Sequence, residues 1–159
     1  MLMKDSLRKG FGFGLTSGII TTLGMIMGLH SSTHSKTVVI GGILVIAVAD
    51  AFSDAIGIHL SEEFEGKHST KEIWESTFST FASKLVFALT FILPVWFLQL
   101  STAIIVSVAW GLSIITIFSF YLAKQQRVKP HRIILEHLII AILVIMITHQ
   151  IGDWMATFI

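Results

Sequence analysis

The sequence lacks cysteine and is poor in charge. With no cysteine among its 159 residues, disulfides, zinc–thiolate sites and thiol catalysis are excluded. Charged residues make up 13% of the chain and apolar residues 53%, whereas a soluble domain carries about 25% charged residues. The net charge of +1 gives no indication of a nucleic-acid partner, and the lipid bilayer is the expected surrounding. Residues 1–159 are treated as a single transmembrane domain.

Five apolar stretches predict an all-α integral membrane protein. They cover residues 11–29, 38–60, 81–98, 102–123 and 133–158. Each is close to the roughly 20 residues that a helix needs to cross the bilayer. Spanning strands would be about half as long and would alternate in polarity. Pro94 lies inside the third stretch and is expected to kink that helix.

The basic residues predict the orientation of these helices. Ten of the eleven lysines and arginines lie in the N-terminal tail, in the segment before the third stretch, or between the fourth and fifth stretches. Lys84, at the start of the third stretch, is assigned to this side, and Lys36 alone lies on the other. The positive-inside rule then places the N-terminus in the cytoplasm. The expected location is a cell inner membrane in a prokaryote, or a vacuolar or other organelle membrane in a eukaryote.

Residues 61–80 form the one sizeable polar segment, acidic at its start and amphipathic at its end. Ser69 and Glu72 have the spacing of a capping box. Large apolar residues then recur at helical spacing. We therefore predict a short cytoplasmic amphipathic helix at the membrane interface, ahead of the third span. Its apolar positions are Ile73, Trp74, Phe78 and Phe81.

The first stretch carries small and polar residues on its helical faces. Gly14 and Gly18 form a GxxxG pair, which lets helix backbones approach closely in a membrane. Ser17, Thr21 and Met25 are four residues apart and share a face. Simple helix packing explains the glycines. The hydroxyl and thioether groups raise a second interpretation, in which this helix lines a cation path.

Asp50 and Asp54 lie deep in the second stretch, one helical turn apart. Ionisable groups at this depth are rare and usually mark ion or proton pathways. Because no lysine or arginine is assigned to the centre of a span, a cation or a proton is expected to neutralise the two aspartates. Two acids so close repel when both are ionised, so one should hold a proton readily. The alternative is a buried pair that only holds helices together.

Further possible metal ligands follow the second stretch. Carboxylates and imidazoles suit iron, manganese or zinc, although a solvated acidic helix end is the simpler interpretation. No nucleophile is accompanied by a base and an oxyanion donor, so an enzyme is not expected. The candidate ligands here are His59, Glu62, Glu63 and Glu65.

Two motifs resemble those of the vacuolar iron transporter family, including its short nodulin-like members. Residues 14–22, Gly-Leu-Thr-Ser-Gly-Ile-Ile-Thr-Thr, are similar to the first-helix motif of that family. Residues 49–57, Ala-Asp-Ala-Phe-Ser-Asp-Ala-Ile-Gly, are similar to the second-helix motif. In this comparison Ser17 takes the position of a family aspartate and Asp54 that of a methionine. Ile58 and His59 stand where the family has Glu-Tyr.

The resemblance implies a five-helix homodimer that moves ferrous iron out of the cytosol in exchange for protons. Its path would run between two protomers, lined by the first helix, with Gly14 and Gly18 in close contact across the two-fold axis. On this basis the expected metal ligands are Asp50 and Asp54, with Met25 and the cytoplasmic Glu62, Glu63, Glu65 and His59. The expected pore-lining residues are Ser17, Thr21, Gly14 and Gly18.

We therefore expect a transporter of divalent cations, iron or manganese, out of the cytoplasm. The metal ion would be its substrate, and no permanently bound cofactor is expected. The alternative is a non-transporting membrane scaffold or partner subunit diverged from that family. Neutralising Asp54 should abolish metal-dependent function in a transporter and leave a scaffold unaffected.

Overall fold

The computed structural model describes residues 5–158, and all regular structure within that range is helical. Five helical segments in it are long and apolar enough to cross a membrane, with α3 and α4 together forming the third. These findings confirm the prediction of an all-α chain with five such helices. The helices are α1 (Asp5–Thr33), α2 (Lys36–Glu65), α3 (Thr70–Thr90), α4 (Ile92–Phe97), α5 (Leu100–Gln126) and α6 (Pro130–Ala156).

Pro94 interrupts the third span. A proline has no N–H to donate four residues back, and its ring crowds that carbonyl, which here belongs to Thr90. Helix α3 accordingly ends at Thr90, and the Phe91 N–H donates to the Ala88 carbonyl at 3.2 Å. Helix α4 resumes one residue later. The helix is therefore interrupted at Phe91, and the kink itself stays a prediction.

The capping box predicted at Ser69 is confirmed. The Ser69 side chain accepts from the Glu72 N–H, and the Glu72 carboxylate accepts from the Ser69 N–H at 2.9 Å. The helix that it starts runs without a break to Thr90. Residues 70–80 and the start of the third apolar stretch are thus one helix. This element has Trp74 and Phe78 on its exposed side.

The chain divides into two compact units, and the division falls within α1 and α2. The first unit contains residues 5–22 of α1, residues 43–65 of α2, and α3. The second contains residues 23–33, residues 36–42, and helices α4, α5 and α6. In the first unit the buried face of α3 is unusually polar for a membrane helix. Its buried polar residues are Ser76, Thr77, Thr80, Ser83 and Lys84.

The glycine stripe of α1 packs against this polar face of α3. A Cβ at Gly14 would lie 2.1 Å from the Ser83 hydroxyl, and one at Gly10 would lie 2.2 Å from the carbonyl oxygen of the facing α3 turn. Gly18 packs against Lys84 less tightly, since a Cβ there would lie 3.0 Å from the Lys84 carbonyl oxygen. Because α3 of the same chain covers this face, the expectation that Gly14 and Gly18 meet a second copy is wrong.

In the second unit α5 packs against both α4 and α6. Gly24 and Gly28 of α1 face α6, where a Cβ at Gly24 would lie 2.8 Å from Val144. At the end of α4, the Lys36 ammonium donates to the carbonyls of Trp96 and Leu98 at 2.8 and 2.9 Å. That lysine therefore satisfies carbonyl groups which the helix end leaves without an internal donor.

Candidate functional site: a buried ion cluster

A lysine and two aspartates meet in the first unit. The Lys84 ammonium lies 2.6 Å from Asp50 Oδ2 and hydrogen-bonds to Asp54 Oδ2. It also donates to the Ser17 hydroxyl at 2.8 Å, and Ser17 in turn donates to Asp54 Oδ2 at 2.6 Å. We call Asp50, Asp54, Lys84 and Ser17 the Asp54 cluster. It joins α1, α2 and α3 in one polar network.

This cluster lies near the middle of helical segments that are long and apolar enough to cross a membrane. Lys84 is 14 residues after Thr70 and 13 before Phe97, the ends of the third such segment. Asp50 is 14 residues after the start of α2 and 15 before its end. Since a helix rises about 1.5 Å per residue, both groups are about 20 Å from either end of their span. A charged group so placed has only its protein neighbours, or water that they admit, to stabilise it.

The cluster holds more negative than positive charge. It contains two carboxylates and one ammonium, so with all three ionised one negative charge is left over among the described residues. Asp50 Oδ2 lies within ion-pair distance of Lys84 but makes no directed hydrogen bond. The Lys84–Asp50 pair is a close electrostatic contact, because the strength of an ion pair depends on the distance between the charges. Asp50 is thus the less firmly held acid.

Burial differs between the members of the cluster. The Lys84 side chain is 2% exposed, whereas those of Asp50 and Asp54 are 27% and 20% exposed. The ammonium is therefore enclosed by the unit, and the carboxylates reach its surface. A cation that approaches from outside the unit would meet the carboxylates before it met the lysine.

The expectation that no basic group lies in a span centre is wrong, and Lys84 is the residue that sequence reasoning missed. It was assigned to the membrane edge because the apolar stretch begins only at Phe81. The helix begins eleven residues earlier, at Thr70, and its polar residues continue the span. Measuring the helix from the Ser69 cap would have placed Lys84 at mid-span.

The other predicted path residues of α1 have different surroundings. The Thr21 hydroxyl donates to the Ser17 carbonyl at 2.9 Å, within its own helix. Met25 belongs to the second unit, where a Cβ at Gly42 would lie 2.5 Å from its sulfur. Met25 also lines a cavity of about 320 Å³ there, together with Ser32 and Met155. The structure groups Ser17 with the acids.

Glu62 is the centre of a second ionic group in the first unit. Its side chain is 2% exposed and accepts from the Ser76 hydroxyl at 2.5 Å. The Lys9 ammonium lies 3.2 Å from Glu62 and 3.7 Å from Glu65. We call Glu62, Glu65, Lys9 and Ser76 the Glu62 cluster. Glu62 is therefore a buried, paired acid, unlike a residue of a solvated helix face.

His59 and Glu63 lie apart from that cluster's hydrogen bonds. His59 Nδ1 is 3.0 Å from the Thr77 hydroxyl, and Nε2 is 3.4 Å from the exposed Glu63 carboxylate. The His59 ring also packs against Trp74, with 4.7 Å between ring centroids. Within residues 5–158, no three His, Asp or Glu side chains converge in a way that could hold a metal ion.

Comparison with known proteins gives no family assignment. No family model matches this sequence, and no curated protein matches it.

Proposed function

We propose that this chain is a membrane transporter that exchanges divalent cations for protons at the Asp54 cluster. The observation that carries the proposal is the leftover negative charge of two carboxylates and one ammonium near the middle of three apolar helices. The proposed substrate is iron or manganese, and the direction is out of the cytoplasm, as the resemblance of residues 14–22 and 49–57 implies.

An excess charge at this depth has to be balanced. An uncompensated charge in the bilayer centre costs a few kcal/mol or more, so the excess negative charge favours binding of a cation at this cluster. The available ligands are carboxylate and hydroxyl oxygens, which favour harder ions such as Mn²⁺ over Cu⁺. Protons and metal ions would compete for these carboxylate oxygens.

We further propose that a second copy covers the α2 face beside the acids, in a homodimer. Carboxylates that are partly exposed near mid-span cannot be solvated by lipid. The neighbouring positions on α2 are small and exposed, and a Cβ at Gly57 would meet nothing within 4 Å. Small residues let a helix of a second copy approach closely. This face includes Ala49, Ser53 and Gly57.

The test is transport by the full chain in proteoliposomes, with Mn²⁺ and an imposed pH gradient. Wild type should take up Mn²⁺ in exchange for protons that flow down the imposed gradient. Asp54→Asn should reduce this uptake at least tenfold. Asp54→Asn leaves one carboxylate paired with one ammonium. Because this pair has no net charge, the variant should still fold. The matched control is Glu136→Gln, which removes an exposed acid outside the expected ligand set and should leave uptake unchanged. Equal transport by wild type and Asp54→Asn would reject the proposal.

Proton release provides the second measurement. A pH-indicating dye in weakly buffered detergent solution should report protons released when wild type binds Mn²⁺. Asp50→Asn, which removes one of the two competing carboxylates, should release fewer. Release that does not change in Asp50→Asn would contradict the role given to that acid.

A second candidate function is a structural membrane subunit that transports nothing. It is favoured by the enclosure of Lys84, which contacts both acids and Ser17 and would hold three helices together. The combined variant Asp50→Asn, Asp54→Asn and Lys84→Met distinguishes the two functions. Wild type inactive with a panel of divalent ions, together with lost assembly of this variant, would favour the structural subunit.

A further inference from the structure

A cavity of about 380 Å³ lies in the second unit, where α2 begins and α4 ends. Its lining combines one charged side chain, one hydroxyl and two large apolar side chains. The lining residues are Lys36, Thr37, Ile40 and Trp96. The proposed transport mechanism uses none of them, and the Asp54 cluster belongs to the first unit. A ligand in this cavity would therefore serve a different purpose from the transported ion.

The ammonium of Lys36 has neutral partners. It donates to the carbonyls of Trp96 and Leu98 at 2.8 and 2.9 Å. A lysine ammonium has three N–H donors, so these two bonds leave one donor for a further acceptor. Among residues 5–158, no carboxylate forms an ion pair with this ammonium, in contrast to those of Lys9 and Lys84. Its positive charge is thus not balanced by the described part of the chain.

The start of α2 adds to this positive charge. The N-terminus of a helix carries a partial positive charge and N–H groups without an acceptor inside the helix. Lys36 is the first residue of the 30-residue helix α2, and the exposed Thr37 follows it. An anion in the cavity would therefore meet an ammonium, a hydroxyl group and a helix N-terminus. The charge of the cavity suits a phosphate group.

The position and the apolar side chains of the cavity suit a lipid. Lys36 is the first residue of the second apolar segment, and Trp96 is the last but one of the third. Tryptophan and lysine are typical of the headgroup level of a bilayer. Ile40 lies one turn further along α2, and Leu93 and Trp96 of α4 are both exposed. These side chains offer an apolar surface next to the charged group, as an acyl chain next to a headgroup requires.

We infer that this cavity binds one anionic phospholipid. The lipid phosphate accepts a hydrogen bond from the Lys36 ammonium at the start of α2, and an acyl chain covers Ile40 and the Trp96 ring. The headgroup of a zwitterionic lipid contains its own cation, so the unbalanced charge of Lys36 favours a lipid with net negative charge. Free phosphate has no apolar part to cover these side chains. The inference does not depend on the proposed transport.

Quenching of Trp96 fluorescence by brominated lipids tests this site in the full chain. Three of the four tryptophans are replaced, by Trp74→Phe, Trp110→Phe and Trp154→Phe. The protein is reconstituted in mixtures of phosphatidylglycerol and phosphatidylcholine, with bromine on the acyl chains of one lipid and then of the other. The two series give the relative affinity of the two lipids beside Trp96. We expect phosphatidylglycerol to be preferred about fivefold, the effect of one lysine near an anionic membrane surface.

Two substitutions of Lys36 test the role of its charge. Lys36→Gln removes the charge but keeps an N–H donor for the carbonyls of α4, and the two lipids should then bind about equally. Lys36→Arg keeps the charge and should retain most of the preference for phosphatidylglycerol. Quenching by brominated phosphatidylcholine alone should be the same in both variants as in the parent, which shows that the surroundings of Trp96 are intact.

The matched control is a chain that keeps Trp154 in place of Trp96 as its one tryptophan. Trp154 is exposed near the end of α6 and follows an aspartate, Asp153. Quenching there should show no preference for phosphatidylglycerol. A preference at Trp96 no greater than at Trp154 would overturn the inference, and this comparison needs no substitution of Lys36. A preference that persists in Lys36→Gln, or that is lost equally in Lys36→Arg, would also overturn it.

Sodium phosphate distinguishes a phospholipid from a soluble anion. Millimolar phosphate should reduce the quenching of Trp96 by brominated phosphatidylglycerol no more than sodium chloride of equal ionic strength does. Displacement by phosphate alone would indicate a site for a soluble anion and would overturn the assignment to a lipid. Mn²⁺ takes part in none of these measurements, so their failure leaves the proposed function standing. Failure of Mn²⁺ transport would likewise leave the lipid site standing.

Discussion

At the scale of single residues, Lys84 stabilises the negative charges of Asp50 and Asp54. It is the basic side chain that the described structure places against both Asp50 and Asp54. Removing one partner of a buried ion pair costs about 3–5 kcal/mol, because the remaining charge is left uncompensated. We expect Lys84→Met to lower the free energy of unfolding by about this amount, measured by detergent-induced unfolding in mixed micelles.

The control for that loss is Lys71→Met, which removes an exposed lysine of the same helix and should change stability by less than about 0.5 kcal/mol. Adding Asp54→Asn to Lys84→Met should recover part of the stability, since one of the two stranded acids is removed. A Lys84→Met protein as stable as wild type would show that the acids do not depend on this lysine.

Some residues of the site could be predicted from the sequence and others could not. Asp50 and Asp54 were identified because charge in an apolar run is visible in the sequence, and Ser17 was singled out on its helix face. Lys84 was misplaced, and Lys9 had no assigned partner. The pairing of a side chain depends on which helix packs against it, and hydropathy carries no information on that.

At the scale of helices, the close packing of α1 on α3 depends on particular glycines. A Cβ at Gly14 would lie 2.1 Å from the Ser83 hydroxyl, whereas one at Gly57 of α2 would meet nothing. Gly14→Ala should therefore destabilise the protein by about 1–3 kcal/mol through overpacking. Gly57→Ala should leave the single chain at least as stable as wild type, since alanine is the better helix former.

Thermal unfolding of the purified full chain in detergent checks this pair of variants. Both substitutions add the same methyl group to a helical glycine, so the difference between them reports packing alone. Equal melting temperatures for the two variants would show that α1 and α3 are not packed as closely as described. A drop in dimer content confined to Gly57→Ala would support the proposed second copy on α2.

Helix boundaries were predicted where local chemistry sets them. The Ser69 capping box and the Pro94 break follow from backbone hydrogen bonds that these residues make or cannot make. Residues 70–80 were predicted as a separate interfacial helix, because hydropathy falls where Ser76, Thr77 and Thr80 lie. Those hydroxyls bond to carbonyls of their own helix, so the helix continues through a stretch that is not apolar.

At the scale of the whole molecule, the orientation of the chain remains a prediction from its basic residues. With Lys84 placed within a span, nine lysines and arginines stay on the side of the N-terminus and Lys36 on the other. The positive-inside rule still places the N-terminus in the cytoplasm. A reporter fused after Ile159 should be active outside the cytoplasm, and one inserted after Arg127 should be cytoplasmic. The reverse pattern would contradict both the orientation and the proposed direction of transport.

The bond of Lys36 to the end of α4 has a consequence for biogenesis. With the N-terminus in the cytoplasm, the short connection between α1 and α2 must carry this ammonium across the membrane early in synthesis. Its acceptors, the carbonyls of Trp96 and Leu98, are made 60 and 62 residues later. The first helical hairpin is thus made before the carbonyls that bind this ammonium, and the bond can form only after the third span has been synthesised.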